Sequence, residues 1–203
     1  MSQSLTTRSP VPAEAAIQIT MAIGGLVFIL MMLFGLLMKS AQGGLISIEP
    51  AIFYQILTAH GIGMVGTAGL TGAAIMWYFL ARHVALKAWP YYAMLVLFLA
   101  GVVLILGAIF LGGFAGAWTF LYPLPSMSGG VWEPYAAAVY LVGLALVGVG
   151  FLVLYLETGR ALIARYGTLG RALGWPLLFS GHQDDVPPPT VVASAAVTIF
   201  NAI

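Results

Sequence analysis

The chain has no cysteine, only three histidines, and very little charge: seven Lys or Arg and six Asp or Glu among 203 residues. Without cysteine there is no disulfide framework, no thiolate metal site and no thiol nucleophile. His60, His83 and His182 limit the metal chemistry that the chain can perform alone. Charged residues make up 6% of the sequence and apolar residues 62%, whereas a soluble domain carries roughly 25% charge. So few charges cannot hold this much apolar surface in water. A soluble enzyme and a disordered tail are excluded, and so is a nucleic-acid binder, which needs a basic patch. The net charge of +1 points to no acidic partner. Gly-rich phosphate loops, catalytic triads and His-rich zinc motifs are also missing, as is the apolar–polar alternation of a membrane barrel.

What the chain does have is long apolar runs. A membrane helix needs about 20 mostly apolar residues to cross a core of about 30 Å. Residues 17–38, 51–81, 90–112 and 134–156 meet that requirement. They predict an all-α polytopic membrane helix bundle, preceded by a polar N-terminal segment, residues 1–16. Pro50, Pro90 and Pro134 stand at or just before helix starts, where a missing N–H costs nothing. A cleaved signal peptide would have a shorter apolar region and a small-residue cleavage site, so span one is read as retained. A fifth apolar run, residues 190–203, follows Pro187-Pro188-Pro189. At about 1.5 Å rise per residue it reaches only about 21 Å. It reads as a re-entrant or interfacial end, or as the front of a longer polypeptide, and the second is expected. Residues 158–185 mix Arg, Gly and aromatics and lie either along the membrane interface or in a solvated loop.

The loops carry the orientation. Arg8, Arg82, Lys87, Arg160, Arg165 and Arg171 fall on one side under four-span alternation, and Lys39 alone falls on the other. The positive-inside rule then puts the N-terminus in the cytoplasm, and the expected location is the plasma (inner) membrane. Trp77, Tyr78, Trp89, Tyr91 and Tyr92 cluster at that side and read as an interfacial aromatic belt.

His60 is the residue with the clearest chemical reason to be noticed. It lies about 15 Å along the helix from Pro50, inside the bilayer, where an ionisable residue is expensive and marks a functional site by default. Neutral imidazole is a good ligand for haem iron; the alternative is a histidine that hydrogen-bonds across a helix interface. Gly61, Gly63, Gly66, Gly69 and Gly72 follow it. Such small residues admit either a neighbouring helix or a flat macrocycle. The loop from Gly112 to Pro125 is uncharged and rich in aromatics and proline, so it packs against protein, cofactor or the membrane interface. Glu49 and Glu133 precede span starts, where an acid complements a helix N-terminus. Glu157 is spaced to pair with Arg160 at i, i+3. His83 reads as an interfacial residue, and His182, beside Asp184 and Asp185, as part of a wet loop. No carboxylate lies at mid-membrane, so an acid-based proton relay has no candidate.

The string Tyr54-Gln55-Ile56-Leu57-Thr58-Ala59-His60-Gly61 resembles the second helix of subunit I of haem–copper oxygen reductases. The stretch Thr119-Phe120-Leu121-Tyr122-Pro123-Leu124-Pro125 resembles the loop between helices three and four of the B-type branch. Gly112-Gly113-Phe114 and Gly35-Leu36-Leu37-Met38 fit the same pattern. The resemblance implies that His60 is an axial ligand of a low-spin haem, with Gly61 and Met64 beside it. Trp118, Tyr122 and Pro123 would pack near the haem propionates and the electron-donor-binding subunit. The family reduces oxygen with electrons from cytochrome c or quinol and pumps protons. Its second low-spin ligand, high-spin haem and copper ligands lie in helices six to ten, which this chain does not contain. Those groups are therefore expected on missing sequence or on a partner chain, and the chain alone would be inactive. The competing readings are a non-catalytic structural or assembly subunit with no metal ligand, and a transporter, which lacks broken helices to support it.

Overall fold

The structure, a computed structural model, describes residues 11–116, 124–125, 127–182 and 184–202. These residues form seven helices with no strand among them. Four are long and apolar enough to cross a membrane, which makes the chain a multi-pass membrane protein: α1 (Glu14–Gln42), α2 (Pro50–Leu80), α3 (Ala88–Phe110) and α4 (Pro134–Tyr166). Two short helices follow, α5 (Leu169–Ala172) and α6 (Trp175–Ser180), and then α7 (Pro189–Ala202).

Three of the four expected spans coincide with helices to within a few residues. The fourth does not end at Leu156 but continues to Tyr166. Its extra turns are held by burial, because Ala161, Leu162 and Tyr166 all lie in the core. Gly167, at φ +83°, then ends the helix in a conformation that favours glycine. Residues 158–185 are therefore partly helix α4 and partly two short helices. Thr168 caps α5 by accepting the Arg171 N–H at 3.1 Å. Glu49 and Glu133 occupy the N-cap positions before Pro50 and Pro134, and neither side chain makes a capping hydrogen bond.

The bundle is two helix hairpins closed by α7: α1 packs along α2, α3 along α4, and α7 rests on α4 and α2. The α3–α4 contact is the tightest. A Cβ placed on Gly101 would stand 2.5 Å from the Gly143 carbonyl oxygen, and one on Gly143 would stand 2.7 Å from the Gly101 carbonyl oxygen. Without a hydrophobic force between helices in lipid, such close backbone approach is what van der Waals packing can use. Hydroxyls within the helices satisfy themselves: Thr20, Thr158, Ser194 and Thr198 each donate to the carbonyl four residues back.

Two cores occupy the two ends. At the end that carries most of the basic residues, Trp77, Leu80, Tyr91, Met94, Leu154, Leu162 and Val191 cluster. Trp77 and Tyr91 have 0% exposure, with ring centroids 5.6 Å apart. These two are core residues and do not belong to an interfacial belt. The Trp77 indole donates across 3.3 Å to the Pro12 carbonyl, which gives it a partner inside the bundle. Trp89 and Tyr92 are exposed, as a belt requires, and Tyr78 is half-buried. At the opposite end Ala59, Ile109, Phe114, Ala136 and Tyr140 form the second cluster.

The expected pair of Glu157 and Arg160 is present and does more than bridge one turn. Both guanidinium contacts to the carboxylate are 2.6 Å. Glu157 also accepts the Lys87 backbone N–H at 2.8 Å, and Arg160 donates to the Ala85 carbonyl at 3.2 Å. The loop between α2 and α3 is thereby fastened to α4.

Candidate functional site

His60 sits on α2 where α1 crosses it. Its Nδ1 lies 2.7 Å from the carbonyl oxygen of Met31. A carbonyl only accepts, so Nδ1 is the protonated nitrogen and donates. The imidazole is then held as the tautomer whose Nε2 lone pair is free. Among the described residues, Met31 is the one hydrogen-bond partner of the ring. His60 itself is half-buried.

The ring reaches that carbonyl because α1 carries a glycine one turn further on. A Cβ on Gly35 would stand 3.2 Å from His60 Cε1, so the bare glycine backbone gives the imidazole its seat. The contact is reciprocal: the Met31 side chain crosses to α2 and fills the place where a Cβ on Gly63 would be. Further along the same interface Gly24 receives Thr71. The α1–α2 crossing thus both packs the helices and orients His60.

The glycines that follow His60 are largely occupied. Gly63 takes Met31 from α1, Gly66 faces Phe98 of α3 at 3.8 Å, and Gly69 faces Phe151 of α4 at 3.4 Å. At these three positions the small residues serve helix packing. Gly61 and Met64 are half-buried, and Met64 lies one turn from His60 on the same helix face.

The described part of the long loop packs against protein. Phe114 is 1% exposed. It stacks on Tyr140 at 4.3 Å and meets Trp132 edge-on at 5.2 Å. The Trp132 indole donates to the Pro125 carbonyl at 2.9 Å. Gly113, at φ +71°, turns the chain inward, and a Cβ there would stand 3.8 Å from the side-chain amide of Gln55 on α2. Phe114 and Ala59, the residue before His60, belong to one buried cluster, so the loop is seated over the segment of α2 that carries the histidine. Trp118, Tyr122 and Pro123 lie outside the described residues.

The other histidines are placed differently. His182 is 82% exposed and bonds Asp184 at 3.0 Å, a solvated pair as expected. His83 is exposed at the end of α2. Among the described residues no three His, Cys, Asp or Glu side chains converge on one point.

Met31 and Gly35 escaped the sequence reading as partners of His60. The Met31 contribution is a backbone carbonyl, which every residue has, and only the helix crossing selects it. Trp132 and Tyr140 were also missed as supports of the loop; their aromatic character is a weak signal among the 25 aromatic residues of the chain.

No family model, no curated protein and no solved structure matches this chain.

Proposed function

We propose that this chain is the N-terminal portion of the catalytic subunit of a haem–copper terminal oxidase, with His60 as one axial ligand of the low-spin haem. The observation that carries the reading is the Nδ1–H bond to the Met31 carbonyl. A ligating histidine almost always donates its other ring N–H to a carbonyl or carboxylate, which fixes the tautomer and raises the basicity of the ligating nitrogen. The resemblance of residues 54–61 to the second helix of that family points the same way. In this reading His60 presents Nε2 to the iron, the Gly35 backbone holds the ring in place, and Met64 lines the same helix face. A haem so held supplies a one-electron relay towards the oxygen-reduction site. The second axial ligand, the high-spin haem and the copper ligands come from the remaining helices of the subunit. A further subunit delivers electrons from cytochrome c or quinol. The assembly lies in the plasma (inner) membrane with the N-terminus of this chain in the cytoplasm, on the side where the basic residues gather.

A second reading has one observation in its favour. The same bond from His60 to Met31 already joins two helices, which is a sufficient structural use for a half-buried histidine. The chain would then be a non-catalytic membrane subunit.

Reduced-minus-oxidised spectra of the intact oxidase complex separate the two. His60→Ala is expected to abolish the low-spin haem band. His60→Met, able to ligate iron through its thioether, is expected to keep a low-spin band at a higher potential. A band that survives His60→Ala unchanged overturns the ligand assignment and favours the structural role.

A further inference from the structure

The end of the bundle that carries the basic residues has a cleft unconnected with His60. It has a volume of about 570 Å³ and lies between the α2–α3 loop and the last turns of α4. Pro12 closes one side; Arg82, His83, Arg160 and Arg165 contribute its polar lining. No Asp or Glu is among the described residues that line it. Apolar surface adjoins it at Phe79, whose ring lies 5.4 Å from the Arg82 guanidinium and which is 46% exposed. Guanidinium groups beside exposed apolar surface, at the ends of membrane helices, suit the two parts of an amphiphile: an anionic head and acyl chains.

The three arginines are not equivalent. Arg160 is committed to Glu157 and to the Ala85 carbonyl. Arg165 is paired with Asp185 at 2.5 Å. Arg82 has no carboxylate partner among the described residues, and its guanidinium lies over the Tyr78 ring at 4.7 Å and the Phe79 ring at 5.4 Å. The two rings hold the cation in place, while no described residue accepts its N–H bonds, which leaves them for a bidentate acceptor. A phosphate diester offers that geometry.

We propose that the cleft between the α2–α3 loop and α4 binds the phosphate of an anionic phospholipid, with Arg82 as its anchor and Arg160 and Arg165 as the walls that orient it. The acyl chains then descend past Phe79.

The test uses the full-length protein in mixed micelles, with spin-labelled phosphatidylglycerol as the probe and spin-labelled phosphatidylcholine as its zwitterionic counterpart. Phosphatidylglycerol is expected to be retained preferentially and saturably. One basic residue near a membrane surface accounts for about a fivefold preference, so Arg82→Gln should lower the preference about fivefold. Arg82→Lys should keep most of it, and Lys39→Gln, at the opposite end, should leave it unchanged. Inorganic phosphate at millimolar concentration should compete poorly, because it lacks the chains. Equal retention of both lipids overturns the proposal. So does a preference that survives Arg82→Gln with the fold intact by circular dichroism. Full displacement by inorganic phosphate overturns the lipid assignment in favour of a soluble anion.

Discussion

Replacing Gly101 with alanine tests the packing on which the rest of the bundle depends. The new methyl group would stand 2.5 Å from the Gly143 carbonyl oxygen, 2.8 Å from Val147 Cγ2 and 3.2 Å from the Val147 nitrogen. A valine methyl can rotate away, but a helix carbonyl and a helix nitrogen cannot. Ordinary carbon–oxygen contact begins at about 3.3 Å, so α3 and α4 must separate locally by about 0.8 Å. A gap of that size forfeits a quarter to a half of each dispersion contact along the crossing, and overpacking of this kind costs about 1–3 kcal/mol. Against this, alanine gains up to about 1 kcal/mol of helix propensity. The net expectation is a destabilisation of about 1–3 kcal/mol. Gly107→Ala is the matched control: it sits on the same helix with nothing within 4 Å of its Cβ position, so only the propensity gain remains. Reversible unfolding of the purified protein by SDS in mixed micelles, followed by circular dichroism, measures both. The two variants should differ by at least about 1.4 kcal/mol, a tenfold change in the folded-to-unfolded ratio. If they agree within about 0.5 kcal/mol, the close crossing at Gly101 and Gly143 is not the feature that holds α3 to α4.

Two other substitutions probe the histidine seat and the loop fastening. Gly35→Ala puts a methyl group 3.2 Å from His60 Cε1 and, with His60 as the proposed haem ligand, is expected to shift the low-spin band of the proposed complex, while Gly25→Ala, with open space around it, leaves it unchanged; identical spectra in both variants count against the seat. Arg160→Ala leaves the Glu157 carboxylate, 6% exposed, without its cation and should cost about 1–3 kcal/mol, discounted because Arg160 itself is well exposed. Adding Glu157→Gln should recover part of that loss in thermal unfolding, and strict additivity of the two changes would count against a buried charge as the cause.

The spans were legible because transfer from water to hydrocarbon is a sum over neighbouring residues, and that sum is large over residues 17–38, 51–81, 90–112 and 134–156. Pro50 and Pro134 marked helix starts for an equally local reason. The far end of α4 was not legible, because residues 157–166 mix charge with apolar side chains. They stay helical since Glu157 and Arg160 hold the α2–α3 loop and Leu162 and Tyr166 are buried. Trp77 and Tyr91 looked like interfacial aromatics from their position in the chain. The Pro12 carbonyl, far away in sequence, gives the indole a partner and lets it go inside.

His60 shows the same division. The sequence alone determines that a single histidine stands at bilayer depth in α2, because depth follows from counting residues along a helix. Composition alone likewise determines that the chain lives in a membrane. The tertiary structure decides what touches that histidine. Which helix faces which depends on small notches such as Gly35, Gly63, Gly101 and Gly143, and on the side chains or carbonyls that enter them. Hydropathy is nearly blind to these choices, since lipid is as apolar as the helices themselves and adds no force that selects one face over another. Only the crossing of α1 over α2 assigns the imidazole its proton on Nδ1 and leaves Nε2 with its lone pair free.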